Sequence, residues 1–539
     1  MQMDKNGRRN RQTSPSLVKD PNWGIGRMRV TRRPNGTLHV SYDGRVDSPK
    51  PAVPHASSAG SVSRNNTAPE PARKSSSSLR KQATPPSTLI SPVTVRPFRL
   101  AHPDEFKKPD DWVNLGGATT LSATGNTYAV YLGIDFGTAY TKASIGFGGD
   151  VFIVDWEGVK AGEERFTLPG EFSVLRDRSC VLGRSLDAAR VASDLKLPFL
   201  EGHASKATLI DTTVFLALIM RYVRAWWFHR HQGLVQNRSL EWHVNLGAPT
   251  TPWHDNEVRL KYAHAAKAAW MTSLGMAPIS SDRAEHALGR LDNFKDESLP
   301  PFAIVPEFVA QIASYTRSPQ RQHDLHLLID VGAGTVDVVT FNVHRDDQSG
   351  EDRFPIFSAA VKNLGTHYLM SRRLQSCLVE RQGSWEDASS VPSAVKFSEV
   401  SGMRFEEVQR ADQAHTTDVA SAISSVLRRT RMKRYRRSPN WTSGIRVFLC
   451  GGGSLCDTFV QSLYVAASQA GVPLSPIRLP LPERLKAQNL SPEQFHRVSV
   501  AFGLGMDVFN LGQIVSMAEV EDDKASRLPL REHFDWDDG

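Results

Sequence analysis

Tyr128–Asp150 reads YAVYLGIDFGTAYTKASIGFGGD. Val130, Leu132 and Ile134 alternate as in a strand buried on at least one face. Asp135 ends that strand, Gly137-Thr138 follows at once, and Lys142–Phe147 resumes a β-type run. The pair predicts a hairpin over a tight turn. Such a turn can aim the backbone N–H groups of Gly137, Thr138, Ala139 and Tyr140 at a phosphate while Asp135 holds a hydrated Mg²⁺ beside it.

A second copy lies about two hundred residues on. Leu327–Val343, LLIDVGAGTVDVVTFNV, has an apolar strand, then Asp330, Gly332-Ala333-Gly334-Thr335 and a second β-rich run. Two such hairpins predict two similar lobes facing one ligand. Val447–Ser454, VFLCGGGS, adds a strand entering a glycine turn ahead of a helix, so Gly451, Gly452, Gly453 and Ser454 allow close approach of backbone to ligand.

The order strand-D-x-G-T, strand-D-x-G-x-G-T, strand-GGGS resembles the actin/heat-shock/sugar-kinase ATPase superfamily. Within it, the likeness is greatest to the seventy-kilodalton heat-shock ATPases, over roughly 128–512. The resemblance implies an α/β, two-lobed actin-like fold: lobe I over 128–318, lobe II over 323–490, and a closing segment over 491–512 that returns to lobe I. It also implies ATP and Mg²⁺ as ligands, with Asp135 and Asp330 as the metal's carboxylates. Phe166–Val174 and Val181–Ala189 resemble the family's T-x-P-S strand and I-G-x-x-A helix start. Ile304–Tyr315, IVPEFVAQIASY, resembles the crossover between lobes and places Glu307 where relatives orient the attacking water.

Two lysines compete for the phosphates. Lys142 lies seven residues after Asp135, the spacing of the actin-like relatives and the favoured choice. Lys196 falls in the order used by heat-shock relatives. Asp337 matches a family acid, and Gly365 lies in a segment resembling G-G-x-x-[FY]-D that lacks its second Gly and its Asp. The glycine turn departs too: relatives read G-G-S-T-R with an adenine-stacking Arg, whereas this chain has Leu455-Cys456 after Ser454. Base identity is therefore open.

The formal charge of +8 is uneven. Residues 1–100 carry 18 Lys and Arg against 5 Asp and Glu, a surplus of 13, which leaves the remainder at −5. This Ser-, Pro- and Arg-rich tail is predicted to be mostly disordered, apart from a hairpin over Arg27–Tyr42 around Asn35-Gly36. Its charge suits nucleic acid or an anionic surface. The basic end of a long polar helix predicted over Ala411–Arg437 is a second candidate partner surface. Acidic patches follow at Glu519–Asp523 and Asp535–Asp538, within a terminal segment over 513–539.

No leader-like apolar segment opens the sequence, and no run reads as a membrane span. The four scattered cysteines read as reduced, which together predict a cytoplasmic protein. Trp226 and Trp227 read as core anchors. The segment after Gly512 is too short for the peptide-binding domain of heat-shock chaperones. The expected function is slow Mg-ATP hydrolysis whose lobe opening and closing regulates an unknown protein partner. A self-assembling, filament-forming ATPase is the alternative, and a small-molecule kinase a distant third.

Overall fold

The structure is a computed structural model. It describes residues 27–32, 38–43, 111–121, 125–156, 165–200, 204–291, 299–345, 350, 352–375 and 391–522. The chain divides into two units, Met1–Leu89 and Ile90–Gly539. In the first, Arg27–Arg32 pairs antiparallel with Leu38–Asp43, with Arg27 opposite Asp43 and Arg32 opposite Leu38. The rest of the basic tail and Asp535–Asp538 lie outside the described residues.

The second unit is mixed α/β and is built on two large sheets. The strands of the first are β1 (Thr127–Asp135), β2 (Tyr140–Phe147), β3 (Asp150–Ile153), β4 (Ser239–Ala248) and β5 (Phe302–Pro306). Those of the second are β6 (Asp324–Val331), β7 (Val336–Arg345), β8 (Asp352–Lys362), β9 (Ile445–Cys450) and β10 (Leu474–Ile477). Their spatial orders are β5-β4-β1-β2-β3 and β10-β9-β6-β7-β8. In each sheet the first three strands form an antiparallel meander, and the fourth and fifth run parallel to the first. The two sheets therefore repeat one topology.

The helices follow from the same patterning. Helices α1 (Lys206–Arg230) and α2 (Asn256–Ser273) bury their apolar residues with Val130, Leu132, Ile134, Val244 and Leu246 in one core. Trp226 and Trp227 belong to that core. Side chains on β6 alternate between two cores. Leu325, Leu327, Ile329 and Val331 face α5 (Phe405–Arg429) and α6 (Asp457–Ala470), while Leu328 faces α3 (Glu307–Gln311) and α7 (Phe495–Leu504). A sheet covered on both faces is why Leu327-Leu328-Ile329 reads as consecutive apolar residues with no alternation.

Close backbone packing places α7 against the first sheet. A Cβ at Gly133 or Gly146 would collide with backbone of Leu504 and Gly505, so glycine there admits the helix end. Ser144 donates its hydroxyl to Ala501 O at 2.5 Å, and Asn245 donates to Leu504 O and Met506 O, both at 2.8 Å. Short strands flank the helix: Leu485–Lys486 pairs with β3, and Gln513–Val515 pairs with β8. The segment around α7 thus touches both sheets.

Two expectations are corrected. Val181–Ala189 starts no helix: Cys180–Leu182 and Ala188–Ala192 flank Phe172–Leu175 in a three-stranded antiparallel sheet. Gly183 takes φ +71°, and the Ser173 hydroxyl donates to Gly183 O at 2.8 Å while accepting from Ser185 N at 2.9 Å, which turns the chain back. The polar helix begins earlier than Ala411, at Phe405. Its α form ends at Arg429, where a π turn over Thr430–Arg434 takes over, closed by Tyr435 N on Thr430 O at 2.9 Å. Thr430 Oγ1 meets Thr340 Oγ1 at 2.6 Å, which anchors that turn on β7. Among the described residues, no helix is long and apolar enough to cross a membrane. Cys180, Cys450 and Cys456 are free thiols.

Candidate functional site: an acid and lysine cluster between two Asp-Gly hairpins

Asp135 is the last residue of β1, and antiparallel register sets it directly opposite Lys142 on β2. The Lys142 ammonium reaches Asp135 Oδ2 at 3.1 Å. Asp330 is the penultimate residue of β6, and the same register logic sets it opposite Asp337 on β7. Both carboxyls are raised, chiefly by burial. Burial pushes Asp330 up, with help from the Asp135 charge and against the lysines and a hydrogen bond from Gln311. Burial, then Glu307 and Asp330, push Asp337 well above the usual carboxylate range, against Lys196 and a Thr335 hydrogen bond.

Glu307 opens α3 directly after Pro306 and is buried. Its Oε1 accepts from Lys196 Nζ at 2.7 Å, and both side chains are about nine-tenths or more enclosed. Burial alone would lower the Lys196 ammonium, but the Glu307 carboxylate outweighs it and holds Lys196 raised. Burial and the Asp135 and Asp330 charges push Glu307 up while Lys196 pulls it down. Gly247 on β4 makes room for the Glu307 side chain: a Cβ there would stand 3.1 Å from Glu307 Cγ.

Both lysine candidates therefore enter one cluster, each on a different carboxylate. Asp135, Glu307, Asp330 and Asp337 oppose Lys142 and Lys196, so four acids face two bases. With all four acids ionised, a state that burial disfavours, the excess of two negative charges is what one dication would balance. Asp330 Oδ1, Asp337 Oδ1, Gln311 Oε1 and the Tyr262 hydroxyl are buried with no hydrogen-bond partner among the described residues. Polar atoms rarely stay buried and unpaired unless a ligand or water completes them. Among the described residues, no group of three or more His, Cys, Asp or Glu is placed to ligate a metal directly. The set fits a hydrated cation better than a stripped one.

The glycine turns divide into supporting and free parts. Gly332 N–H closes its own turn on Thr335 O at 2.9 Å. The N–H groups of Gly365, Thr366 and His367 donate to Gly334 O, Gly332 O and Ala333 O at 3.2, 3.0 and 2.9 Å. Gly365 and the start of α4 (Thr366–Gln375) thus brace the back of the Asp330 hairpin, with the Gly365 N–H committed to Gly334 O. Gly453 N–H goes to Val331 O at 3.0 Å, and Ser454 N–H to Gly451 O at 3.2 Å. By contrast, the N–H groups of Thr138, Ala139, Ala333, Gly334 and Thr335 meet no backbone carbonyl among the described residues. Turn N–H groups of this kind form an anion-binding concavity.

Gly451 takes φ +84°, and a Cβ there would collide with Asp330 Oδ1 and Val331 O. A Cβ at Gly452 would meet nothing within 4 Å, so Gly452 is the open residue of the turn. Register opposes Cys450 to Asp330, which is how the glycine turn meets the second hairpin. Gln311, Tyr262 and Gly247 are the site residues that motif reading missed. Gln311 carries a faint signal, since it lies four residues after Glu307 and hence on the same helical face. No protein-family model matches this chain, and no curated protein matches it either.

Proposed function

We propose that the chain is an actin-like, heat-shock-type ATPase, with each large sheet the core of one lobe and Mg-ATP bound between the Asp135 and Asp330 hairpins. The carrying observation is the repeated topology, in which equivalent first strands deliver Asp135 and Asp330 into one buried cluster with an excess of acid. The turn N–H groups that meet no backbone carbonyl among the described residues support phosphate binding on both sides of it.

Mg²⁺ on the nucleotide supplies charge neutralisation for the transferred phosphoryl group and the leaving oxygen. Asp135 and Asp330 are the residues that would hold a hydrated Mg²⁺ there. Lys142 and Lys196 bring positive charge to the phosphates, with Thr138 and Thr335 adding hydroxyls. Glu307 accepts a proton or hydrogen bond from the attacking water, and its ion pair with Lys196 fixes the direction of its carboxylate. Slow turnover then sets how long the lobes stay closed, and a protein partner reads that state.

The test is Asp330→Ala in the full chain. Wild type should bind and hydrolyse ATP only with Mg²⁺, and the variant should lose Mg²⁺-dependent turnover by at least a hundredfold, about 2.7 kcal/mol of transition-state stabilisation. Wild-type turnover by the folded variant would overturn the metal assignment.

A further inference from the structure

Tyr262 belongs to α2 and is 2% exposed. Its ring lies 5.1 Å from that of Phe199 and 6.5 Å from that of Phe136, centroid to centroid. Phe136 follows Asp135, and Phe199 lies three residues after Lys196, so the phenol is wedged between the segments that carry two of the clustered charges. Its hydroxyl is buried and bonds to nothing among the described residues. The charges that act on it are those of Lys196, Glu307 and Asp337.

A buried O–H that makes no bond lowers stability, since it has lost water and gained nothing. Burial also pushes the phenol well above its ordinary range, so it remains a proton donor at neutral pH. The nearby Glu307 Oε1 is already taken by Lys196. A donor beside a protonated lysine, lacking an acceptor, is complementary to an oxyanion. We propose that the Tyr262 hydroxyl donates to a tetrahedral phosphoryl oxygen held beside Lys196, which makes Tyr262 a positioning residue for the terminal phosphoryl group. This rests on the ATPase reading above. The oxygen belongs either to the bound triphosphate or to the phosphate that hydrolysis leaves behind.

Tyr262→Phe removes the hydroxyl and keeps the ring. In the full chain without ligand, the variant should melt at the wild-type temperature or about 1–3 °C above it, because an unpaired buried group is gone. ADP affinity should stay within about twofold. Affinity for ADP with beryllium fluoride, which stands in for the terminal phosphoryl group, should fall about ten- to a hundredfold, the weight of one hydrogen bond to a charged acceptor. Inorganic phosphate added to the ADP complex separates the two sources: loss in both arms assigns both states, and loss in one assigns that one. Unchanged affinity in both arms overturns the inference. So does an equal loss of plain ADP binding, which marks a structural role. If wild type binds ADP in no arm, the ATPase reading itself fails, and this inference falls with it.

Discussion

Replacing Glu307 by Gln tests stability and chemistry together. Glu307 is the direct partner of a lysine that is only 4% exposed, at 2.7 Å. Removing one member of a buried pair leaves the other charge unpaired, which typically costs about 3–5 kcal/mol. Two features of this cluster reduce that figure. Asp135 also acts favourably on Lys196, and deleting one of four acids relieves repulsion on Asp330 and Asp337. The expected loss is therefore about 2 kcal/mol, below the usual range for an isolated pair. Lys196→Met should cost more, because it leaves Glu307 among three other acids. The double variant should recover at least about 1 kcal/mol relative to the sum of the singles. Urea unfolding of the four proteins without nucleotide or Mg²⁺ gives all the values. In single-turnover hydrolysis with nucleotide bound, Glu307→Gln should be about ten- to a thousandfold slow, or 1.4–4 kcal/mol, because the neutral amide polarises water less. A Glu307→Gln protein within about 0.5 kcal/mol of wild type, with no coupling to Lys196, would refute the pairing argument. An unchanged single-turnover rate would remove Glu307 from the chemistry.

Gly451→Ala should destabilise by about 1–3 kcal/mol and weaken Mg-nucleotide binding, since φ is +84° and the methyl meets Asp330 and Val331. Gly452→Ala, with open space around it, is the control; identical behaviour of the two in thermal melts and nucleotide titrations would refute the steric reading. Deleting residues 1–100 should leave nucleotide binding intact and abolish salt-sensitive binding to nucleic acid or anionic vesicles, because it removes the surplus of 13 positive charges. Equal binding by full-length and shortened proteins in a salt titration would show the tail to be a bystander. Burial pushes His326 and His415 down to about 4, below the ordinary value of 6.5, so the fold favours their neutral forms. The unfolded chain then binds more protons between those values, and the contribution is present above pH 6.5 and lost as pH falls towards 4, up to about 3 kcal/mol per histidine. A His415→Gln variant should show a shallower loss of urea midpoint from pH 7 to 4.5; an unchanged slope would contradict the assignment.

The features legible in the sequence were those whose cause is local. Strand β1 announces itself by three alternating apolar residues, and the two Asp-Gly turns by a few consecutive residues that set turn geometry. The opposition of Asp135 to Lys142 follows once the hairpin is granted, because antiparallel register is fixed by the turn between them. The expected helix at Val181–Ala189 failed for a reason equally local but of the other sign. Gly183 and Ser185 hold a turn there, and Ser173 on the neighbouring strand secures it through its hydroxyl, a contact that a motif match does not weigh.

The parts that stayed hidden depend on distance along the chain. Lys196 and Glu307 are 111 residues apart, and neither segment carries a sign of the other. Sequence order offered Lys142 and Lys196 as alternatives, and packing pairs each with a separate carboxylate, Asp135 and Glu307. Gln311 and Tyr262 come from helices whose facing direction is set by cores, not by motifs. Their common property is energetic: each keeps a buried polar atom unpaired beside buried acids. A chain selected only for stability would replace such atoms with apolar ones at little cost. Keeping these two beside four carboxylates, two of which also have an unpaired oxygen, and two lysines makes the ligand-free cluster a strained arrangement, whose charge and hydrogen-bond deficits the same hydrated dication and phosphates would relieve. Binding should therefore stabilise this fold more than the affinity-independent background of any added salt, and substitutions that calm the free cluster should weaken the bound one.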